Sequence, residues 1–320
     1  MYSYENYEKV RDLIEKRREE ARRTSEARSI ELRMRSKDIK DIDDELRGTG
    51  LLIFKTACEG GDITPIKERN QLLVATRRKL IAELGYPEDY TDVKYTCEKC
   101  SDTGFTTDMR MCSCFKTLLV KENIKSSGMG KLIEEQSFEN FNLDAYSYDP
   151  QVRERMEMNY LYAKEYAESF GKVNARDKNL LLIGKTGTGK THLSTSVAKV
   201  IIERGFDVLY DSVQNIVNAF EKDKFKSGYG TGYEPVADKY LECDLLVMDD
   251  LGTEFVNQFT VSCLYNLFNT RRNRGLATVI STNLSPDELV SKYDDRIYSR
   301  IVGEDYRILF FEGKDHRLNG

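Results

Sequence analysis

The sequence lacks any long hydrophobic run. None of its uncharged apolar segments approaches the ~18 residues of a transmembrane helix. The amino-terminal stretch MYSYENYEKVRDLIEKRREE also lacks the apolar core of a secretory signal. These absences exclude an integral membrane protein and argue against a secreted one, so we expect a cytoplasmic protein with no membrane partner.

An excess of positive charge is absent as well, since the net charge is −5. The protein is therefore not a globally basic nucleic-acid coat. Any contact with DNA must come from a local patch, because affinity follows the number of phosphates neutralised. With 40% hydrophobic and 32% charged residues, one part of the chain can form a packed core while another remains solvated helix. At ~150 residues per domain, the length predicts about two domains.

The first 47 residues contain neither glycine nor proline. Helix formers with sparse apolar residues predict one or two long solvated helices here, a further helix over 66–84 and a helical segment over 115–136. The heptad register is too irregular to predict a coiled coil. A charged face in water and a partner-binding helix both fit the pattern. The aromatic segment 137–150 is predicted to be an extended linker.

Four of the seven cysteines lie close together: Cys97, Cys100, Cys112 and Cys114. In a chain without an export signal, such a cluster indicates metal ligands before disulfides. Four thiolates satisfy a tetrahedral Zn²⁺, and closed four-ligand sites are structural. The spacing predicts one structural zinc, with free or redox-active thiols as the alternative. A segment this small has little core, so metal binding would contribute to its folding.

From residue 151 onward, the pattern changes to alternating helices and strands. A helix over 151–170 precedes five short apolar strands over 179–184, 207–212, 243–250, 277–282 and 307–312. The intervening helices are predicted to begin near Lys190, Gln214, Phe259 and Pro286. Nearly continuous apolar strands that alternate with helices indicate an α/β fold, in which a five-stranded parallel sheet lies between helices.

A glycine-rich segment joins the first strand to the helix after it and fits the phosphate-binding pattern G-x-x-x-x-G-K-[ST]. Glycine lets the backbone wrap a phosphate without Cβ clashes, and the N–H groups at the helix N-terminus attract anionic oxygens. Lys190 is predicted to reach the β- and γ-phosphates of ATP, and Thr191 to help hold Mg²⁺. The nucleotide-binding prediction comprises Gly184, Lys185, Thr186, Gly187, Thr188, Gly189, Lys190, Thr191 and His192.

Polar side chains at the ends of later strands predict a hydrolytic site. The third strand ends in Asp249 and Asp250, and burial of unpaired charge is costly without a role. Asp249 suits the Mg²⁺ shell, and Asp250 suits the positioning or deprotonation of water. Asn283 follows the fourth strand. It is expected to orient the attacking water if that strand lies beside the first, although asparagine is also a common turn residue.

Two arginines four residues apart, Arg296 and Arg300, share a helix face. An arginine from a neighbouring subunit is a recurrent way to stabilise charge on a transferring phosphoryl group. A surface ion-pair helix is the alternative, and which of the two arginines would act is open. A separate basic cluster (Arg271, Arg272 and Arg274) is predicted to complement the dipole at a helix C-terminus.

Lysines alternate with aromatic residues in FEKDKFKSGY, residues 220–229. Lysine neutralises phosphates and an aromatic ring stacks on a base, a combination that suits single-stranded nucleic acid. The predicted contacts are Lys222, Lys224, Phe225 and Lys226, and a solvated helix is the alternative.

The complete series of motifs resembles the DnaC/DnaI-type helicase loaders of the AAA+ superfamily and their sister group, the IstB-type transposition helper ATPases. The motifs cover residues 137–320 and are SFENF, GKTGTGKT, LLVMDDLG, STN, DRIYSR and GKDHR. The resemblance implies an AAA+ core that self-associates and hydrolyses ATP slowly between subunits. It assigns Asn283 as the sensor-1 residue, Arg300 as the arginine finger with Arg296 as second candidate, and Arg317 as the sensor-2 arginine at the nucleotide.

Two features depart from the general AAA+ pattern. Asp250 stands where most AAA+ proteins have glutamate. Its side chain is one methylene shorter, so we expect slow turnover that a partner or DNA stimulates. The chain ends soon after Arg317, so we expect no C-terminal lid, in agreement with the lidless cores of the loader group.

The resemblance further implies that the protein loads a hexameric replicative helicase onto single-stranded DNA, because DnaI-type loaders dock on the helicase through an N-terminal zinc module. We therefore expect a helical, zinc-binding docking domain over 1–134, a linker over 135–150 and an AAA+ ATPase domain over 151–320. The alternative is an IstB-like helper that acts on duplex DNA with a transposase; such helpers usually lack a zinc domain. The acidic pair and Asn283 argue against a small-molecule kinase, whereas Asp250 leaves a non-catalytic ATP-binding scaffold open.

Overall fold

The computed structural model describes residues 3–172, 178–226, 235–303 and 305–315. The chain divides into two compact units, Lys9–Phe115 and Met1–Glu8 with Lys116–Gly320. The division predicted from the sequence at residues 134 and 150 stays a prediction. Among the helices of the described ranges, none has the length and apolar content that a bilayer crossing requires.

The Lys9–Phe115 unit has a small core between long helices. As the sequence predicted, the described residues of the chain up to residue 47 are helical apart from Ser3 and Ser36. The helices are α1 (Tyr4–Arg35), α2 (Lys37–Cys58) and α3 (Thr64–Glu83). Ser36 separates α1 from α2, and its Oγ accepts the Ile39 amide at 3.3 Å as an N-cap. Leu32, Ile39 and Ile81 are fully buried together. A half-buried ion pair joins Arg77 to Asp43 at 2.6 Å across the α2–α3 pair.

The second unit is built on a parallel sheet with the strand order β2-β3-β4-β1-β5. The strands are β1 (Asn179–Gly184), β2 (Val208–Ser212), β3 (Leu245–Leu251), β4 (Ala277–Thr282) and β5 (Tyr306–Phe311). The five-stranded parallel α/β fold predicted from the sequence is confirmed. The remaining helices are α4 (Ser113–Ser126), α5 (Leu132–Glu135), α6 (Pro150–Ser169), α7 (Lys190–Glu203), α8 (Val213–Lys226), α9 (Asp238–Glu242), α10 (Gln258–Arg274), α11 (Pro286–Lys292) and α12 (Asp295–Ile301).

Both faces of the sheet are covered. Leu180 and Leu182 of β1 belong to one buried cluster with residues of α6 and α7, whereas Leu181 and Ile183 belong to another with residues of α8 and α10. Successive strand residues point to opposite faces, so each strand contributes to both cores. This explains why the strands are continuous apolar runs rather than alternating ones.

The sequence predicted an extended linker for the aromatic segment before α6, and this prediction is wrong. The segment forms two 3₁₀ turns, Phe138–Asn140 and Leu143–Tyr146. Phe138, Phe141 and Tyr146 are buried in the core cluster that includes α6 and α7. Burial of three large rings favours a compact path here, although the segment has no helical periodicity.

The basic end of α10 agrees with the sequence prediction, because Arg271, Arg272 and Arg274 all lie in its last turn. Arg271 has a further role that the sequence did not indicate, since it is only 1% exposed. Its guanidinium donates to the carbonyl oxygens of Tyr240 at 2.8 Å and of Ala277 at 2.5 Å. Arg271 therefore ties α9, α10 and the start of β4 together.

Candidate functional site

The candidate phosphate loop, the acidic pair and Asn283 meet at one edge of the sheet. β4 pairs with β1 on one side and with β3 on the other. The carboxyl ends of parallel strands lie at the same edge, where α/β proteins bind ligands. The loop after β1, Asp249 and Asp250 in β3, and Asn283 after β4 are thereby brought together. The condition set for Asn283, that its strand lie beside β1, is met.

The phosphate loop, residues 184–191, needs glycine at two positions with left-handed backbone. Gly187 has φ 75° and Gly189, which caps α7, has φ 93°. A Cβ on Gly189 would lie 2.6 Å from the Tyr146 hydroxyl oxygen, closer than packing allows. Only glycine combines these angles with this close approach at no steric cost.

Lys190 is held inside this loop by three oxygen atoms. Its side chain is 5% exposed, and Nζ donates to Gly184 O at 2.6 Å, Lys185 O at 2.8 Å and Asn283 Oδ1 at 2.7 Å. The hydroxyl of Thr188 also donates to Lys185 O, at 2.8 Å. The side chains of Lys185 and Thr186 are exposed. Carbonyl groups of the loop thus bind the ammonium of Lys190, and the same ammonium also contacts Asn283.

Three hydroxyl groups surround Asp249. The Ser281 hydroxyl donates to Oδ1, and the hydroxyls of Tyr210 and Thr191 donate to Oδ2 at 2.5 and 3.4 Å. Burial and the neighbouring Asp249 carboxylate raise the pKa of Tyr210, so the phenol keeps its proton and remains a donor. Asp249 and the Thr191 hydroxyl together form the oxygen-rich arrangement that Mg²⁺ prefers.

Asp250 occupies an irregular position in β3. The register with β4 shifts between Met248 and Leu251, and Asp250 has φ 57°. A non-glycine residue in this region costs on the order of 1 kcal/mol. Its amide donates to Ser281 Oγ at 2.9 Å, and its carbonyl accepts from the Thr253 hydroxyl at 2.9 Å. At this bulge Asp250 lines the cavity beside the phosphate loop.

A cavity of about 440 Å³ opens onto these groups. Eight predicted residues line it: Thr186, Gly187, Gly189, Lys190, Thr191, His192, Asp250 and Asn283. The opposite wall comes from residues that the sequence prediction missed: Gln136, Asn140, Phe141, Asn142, Ala145 and Tyr146. The only sequence signal for this wall was the aromatic SFENF run, which had been taken for a linker.

His192 joins the two walls. Its Nε2 lies 3.0 Å from Ser137 O and 2.9 Å from Asn140 Oδ1, and the edge of its ring meets Phe141 with 5.2 Å between centroids. The Tyr146 hydroxyl donates to Thr188 O at 3.0 Å, and burial raises the pKa of Tyr146 to about 12. The aromatic segment thus packs directly on the phosphate loop and its helix.

The candidate arginines lie away from this cavity. Arg296 is exposed on α12. Arg300 lies over the Tyr265 ring, 5.5 Å from its centroid, and beside Asn179 and Thr278 at the amino ends of β1 and β4. The phosphate loop follows the carboxyl end of β1, so the two sites are separated by the length of a strand. The third predicted arginine, Arg317, lies outside the described residues.

The candidate DNA contacts lie in the last turns of α8. Lys222 and Lys224 are exposed, and the Phe225 ring is 70% exposed. Lys224 Nζ lies 4.7 Å from the centroid of the Phe259 ring. The Lys226 side chain falls outside the described atoms. The structure therefore presents two cations and an aromatic ring on one short exposed segment.

The four clustered cysteines converge in the Lys9–Phe115 unit. All four Sγ atoms lie within 4.8 Å of one another, with Cys97 and Cys112 at 3.8 Å and Cys100 and Cys114 at 3.5 Å. Zn–S bonds of about 2.3 Å in a tetrahedron place the sulfurs roughly 3.8 Å apart. Hydrogen bonding, chiefly from the Cys114 amide, lowers the pKa of the Cys112 thiol to about 7. The four thiols therefore fit a zinc ion in spacing and number.

Asp102 organises the cysteine loop from within. It is 3% exposed, and its carboxylate accepts the amides of Thr96 at 2.7 Å and Cys97 at 2.9 Å. The Cys112 amide donates to Gly104 O at 2.8 Å. Gly104 has φ 81°, and a Cβ there would clash with the Phe115 ring. These contacts bring the two cysteine pairs together, which the spacing alone could not establish.

Comparison with known proteins gives one family match and similarity to bacterial replication proteins. The model of the family described as IstB-like ATP binding protein matches residues 125–302. The replicative helicase loader DnaC of Escherichia coli K12 is 25% identical over 197 residues, which span 61% of this chain and 75% of that protein. The chromosomal replication initiator protein DnaA of Helicobacter hepaticus is 29% identical over 191 residues, 56% of this chain and 38% of that protein.

Solved structures give matches of the same kind. The crystal structure of the DnaC helicase loader matches with a TM-score of 0.44 and 23% identity, over 55% of this chain and 98% of that one. The crystal structure of DnaI matches with a TM-score of 0.44 and 19% identity, over 59% of this chain and 94% of that one.

Proposed function

Because the chain belongs to the IstB-like ATP-binding protein family, we propose that it is an AAA+ ATPase that binds a hexameric replicative helicase and loads it onto single-stranded DNA. The observation that supports the loader role most directly is the similarity to replicative helicase loader DnaC, which spans 75% of that protein. The cavity at the carboxyl edge of the sheet would hold ATP.

The nucleotide would lie between the two walls of this cavity. The backbone amides of the loop before α7 and the Lys190 ammonium would bind the phosphates. Asp249 and Thr191 would hold Mg²⁺, which supplies positive charge next to the phosphoryl oxygens when bound. Phe141, Ala145 and Tyr146 contribute apolar surface to the lining, which suits the nucleobase.

Asp250 and Asn283 would act on water. The Asp250 carboxylate would accept a hydrogen bond from the attacking water and take its proton as the bond to the β-phosphate breaks, which yields ADP and phosphate. Asn283 contacts Lys190 at 2.7 Å, so it would fix the lysine and the water together. The shorter side chain of Asp250 would make this step slow without a partner.

The charge on the transferring phosphoryl group would be stabilised by a second copy of the chain. Arg300 lies at the amino ends of β1 and β4, and a strand of six residues spans about 20 Å. Neither this side chain nor the exposed Arg296 lines the cavity of its own chain. An arginine from α12 would therefore act only across an interface between subunits, so ATP hydrolysis would depend on assembly.

The Lys9–Phe115 unit, with its four convergent cysteines, would hold a structural zinc and dock on the helicase. Long charged helices beside a small closed metal site give a surface for a protein partner rather than a second catalytic cavity. This arrangement supports the loader over the helper, because the resemblance to loaders includes an N-terminal zinc module.

Size-exclusion chromatography of the full chain with the replicative helicase of its own organism tests the loader role. We expect co-elution with the hexamer, both with the wild-type protein and with a variant that cannot bind ATP, because the docking unit is separate from the ATPase unit. The absence of any shift, with ATP and without it, would remove the loader proposal.

The second candidate is a transposition helper ATPase, favoured by the description of the matching family as IstB-like. Such a protein would assemble on duplex DNA in an ATP-dependent manner and recruit a transposase. ATP-dependent binding to a duplex of random sequence, in a protein that ignores the helicase, would favour this candidate. Preference for a single strand would favour the loader.

Substitution at the end of α8 is expected to weaken binding to single-stranded DNA. Changing Lys222 and Lys224 to Glu removes two phosphate contacts and adds repulsion, and Phe225→Ala removes a stacking surface that is worth about 1–3 kcal/mol per base. Fluorescence anisotropy with a labelled oligonucleotide should show affinity lower by roughly tenfold or more, with a shallower salt dependence.

The matched control for this experiment changes two exposed lysines elsewhere, Lys121→Glu and Lys172→Glu. It introduces the same change in net charge and should leave the affinity close to that of the wild type. Equal losses in both variants would mean that net charge, rather than the α8 segment, governs binding.

A further inference from the structure

A short loop follows β3 and contains a buried carboxylate that does not line the cavity at the phosphate loop. The loop runs over residues 252–254, and Glu254 at its end is 3% exposed. Glu254 Oε2 accepts the amide of Gly252 at 2.9 Å. Its other oxygen, Oε1, accepts the hydroxyl of Tyr293. A buried carboxylate needs such donors, because an unsatisfied one is strongly unfavourable.

The end of α11 closes over the same loop. Lys292 donates from Nζ to the carbonyl oxygen of Gly252. The amide of Gly252 is connected to Tyr293 through Glu254, which accepts from both. Burial and the hydrogen bond to Glu254 raise the pKa of Tyr293, which keeps the phenol a donor. These contacts form a clasp, defined here as Glu254, Lys292 and Tyr293 around Gly252.

On its other side the loop is fixed to the end of β4. Thr282 Oγ1 donates to Leu251 O at 2.7 Å. Gly252 has φ 108°, and a Cβ there would lie 2.5 Å from Leu284 Cδ1. Leu284 comes directly after Asn283. The loop is therefore in contact both with the segment around Asn283 and with the end of α11.

The clasp connects directly to the helix that carries the candidate arginine fingers. Tyr293 is the C-cap of α11, and Asp294 is the N-cap of α12, with its side chain accepting the Ile297 amide at 3.1 Å. Arg296 and Arg300 lie on this short helix. Tyr293 and Asp294 are consecutive, so no residue separates the C-cap of α11 from the N-cap of α12.

We propose that Glu254 is a positioning residue that couples the nucleotide site of its own subunit to the arginines that the same subunit presents to its neighbour. Through the loop it sets Asp250 at the subunit's own nucleotide, and through Tyr293 it sets the orientation of α12, which would reach the nucleotide of the next subunit. This inference rests on the proposed function, namely hydrolysis at sites shared between subunits. A change at one nucleotide would thereby be relayed to the arginine presented to the neighbour.

The substitutions Glu254→Gln and Tyr293→Phe test the clasp with minimal change of shape. We expect kcat for ATP hydrolysis to fall about tenfold in each, with the KM for ATP unchanged, because the phosphate loop and Lys190 are untouched. The double variant should be no slower than the single ones, since both remove the same contact. Glu288→Gln, an exposed carboxylate of the α11 capping box, is the matched control and should retain the wild-type kcat.

A mixing experiment separates coupling from a purely local effect. One chain carries Lys190→Ala and so provides only its arginines; the other carries Arg296→Ala and Arg300→Ala and so provides only its nucleotide site. The mixture should regain activity at the shared sites. Adding Tyr293→Phe to the arginine-providing chain should lower that regained activity several-fold, although this chain hydrolyses nothing itself.

The outcomes are distinct. An unchanged mixture with Tyr293→Phe on the arginine provider would overturn the coupling, as would a kcat that stays at the wild-type value while the Tm falls. If Glu254→Gln does not fold, Tyr293→Phe alone decides, since it loses one hydroxyl. If the parental mixture regains no activity, the shared-site hydrolysis of the proposed function is itself wrong.

Discussion

Lys190→Ala is expected to abolish nucleotide binding and to lower ATP hydrolysis by at least about 10²-fold, as loss of a group that stabilises charge in the transition state does elsewhere. The structure gives a specific reason for so large an effect. Lys190 Nζ contacts Gly184 O, Lys185 O and Asn283 Oδ1, all within 2.8 Å. Removal of the ammonium would therefore remove the proposed phosphate ligand and also the hydrogen bond to Asn283.

Binding of a fluorescent ATP analogue and steady-state release of phosphate would measure the two effects separately. Lys199→Ala is the matched control, because Lys199 lies on the same helix α7 but does not line the cavity. A Lys190→Ala protein that hydrolyses ATP at more than a tenth of the wild-type rate would mean that the nucleotide lies elsewhere.

Cys112→Ser is expected to cost the protein its zinc and to unfold residues 97–114. Cys112 is 1% exposed, its Sγ lies 3.8 Å from that of Cys97, and its amide donates to Gly104 O. The segment contributes little apolar core, so the metal would be its main source of stability, and structural zinc sites in small peptides bind with about 10 kcal/mol or more. Metal analysis should fall from one zinc per chain to a small fraction, and hydrogen exchange should accelerate in this segment alone.

The matched control for the metal site is Cys58→Ser, because Cys58 is exposed and lies outside the cluster. Its zinc content should equal that of the wild type. Freshly purified wild-type protein that contains no zinc would contradict the prediction, and free or redox-active thiols would then be the better description. Helicase binding by the Cys112→Ser chain would show in addition whether the zinc segment is part of the docking surface.

The strands and the phosphate loop could be predicted because each is a local pattern. A continuous apolar run such as 179–184 is buried on both faces wherever it lies, and a glycine-rich loop between strand and helix has few other uses. The order of strands is not local. The order depends on which pairs of strands bury most apolar surface. The sequence could therefore predict that Asn283 lies near Lys190 only on the condition that β4 lies beside β1.

The rest of the site depends on tertiary contacts that carry no periodic signal. Phe141 and Tyr146 form a cavity wall because they pack on α7, and nothing in their own segment indicates that helix. The position of Arg271 at a helix C-terminus could be predicted, but its burial could not, because burial of a guanidinium requires carbonyl groups from α9 and β4, which the sequence cannot place. Asp249 accepts hydrogen bonds from Ser281 and Tyr210, and these two residues come from the strands on either side of β3.

The strand order also determines at what stage of translation the ATP site can fold. β1 pairs only with β4 and β5 among the described strands, and the Asn179 side chain bonds the Thr278 amide 99 residues later. A nascent chain from which β1, the loop and α7 have already left the ribosome still has no neighbour for that strand. Such late, long-range pairing folds slowly and leaves an apolar strand open to aggregation. A ribosome-bound chain would therefore form its nucleotide site only after β4 has also been synthesised, and the apolar residues of β1 would stay unpaired until then.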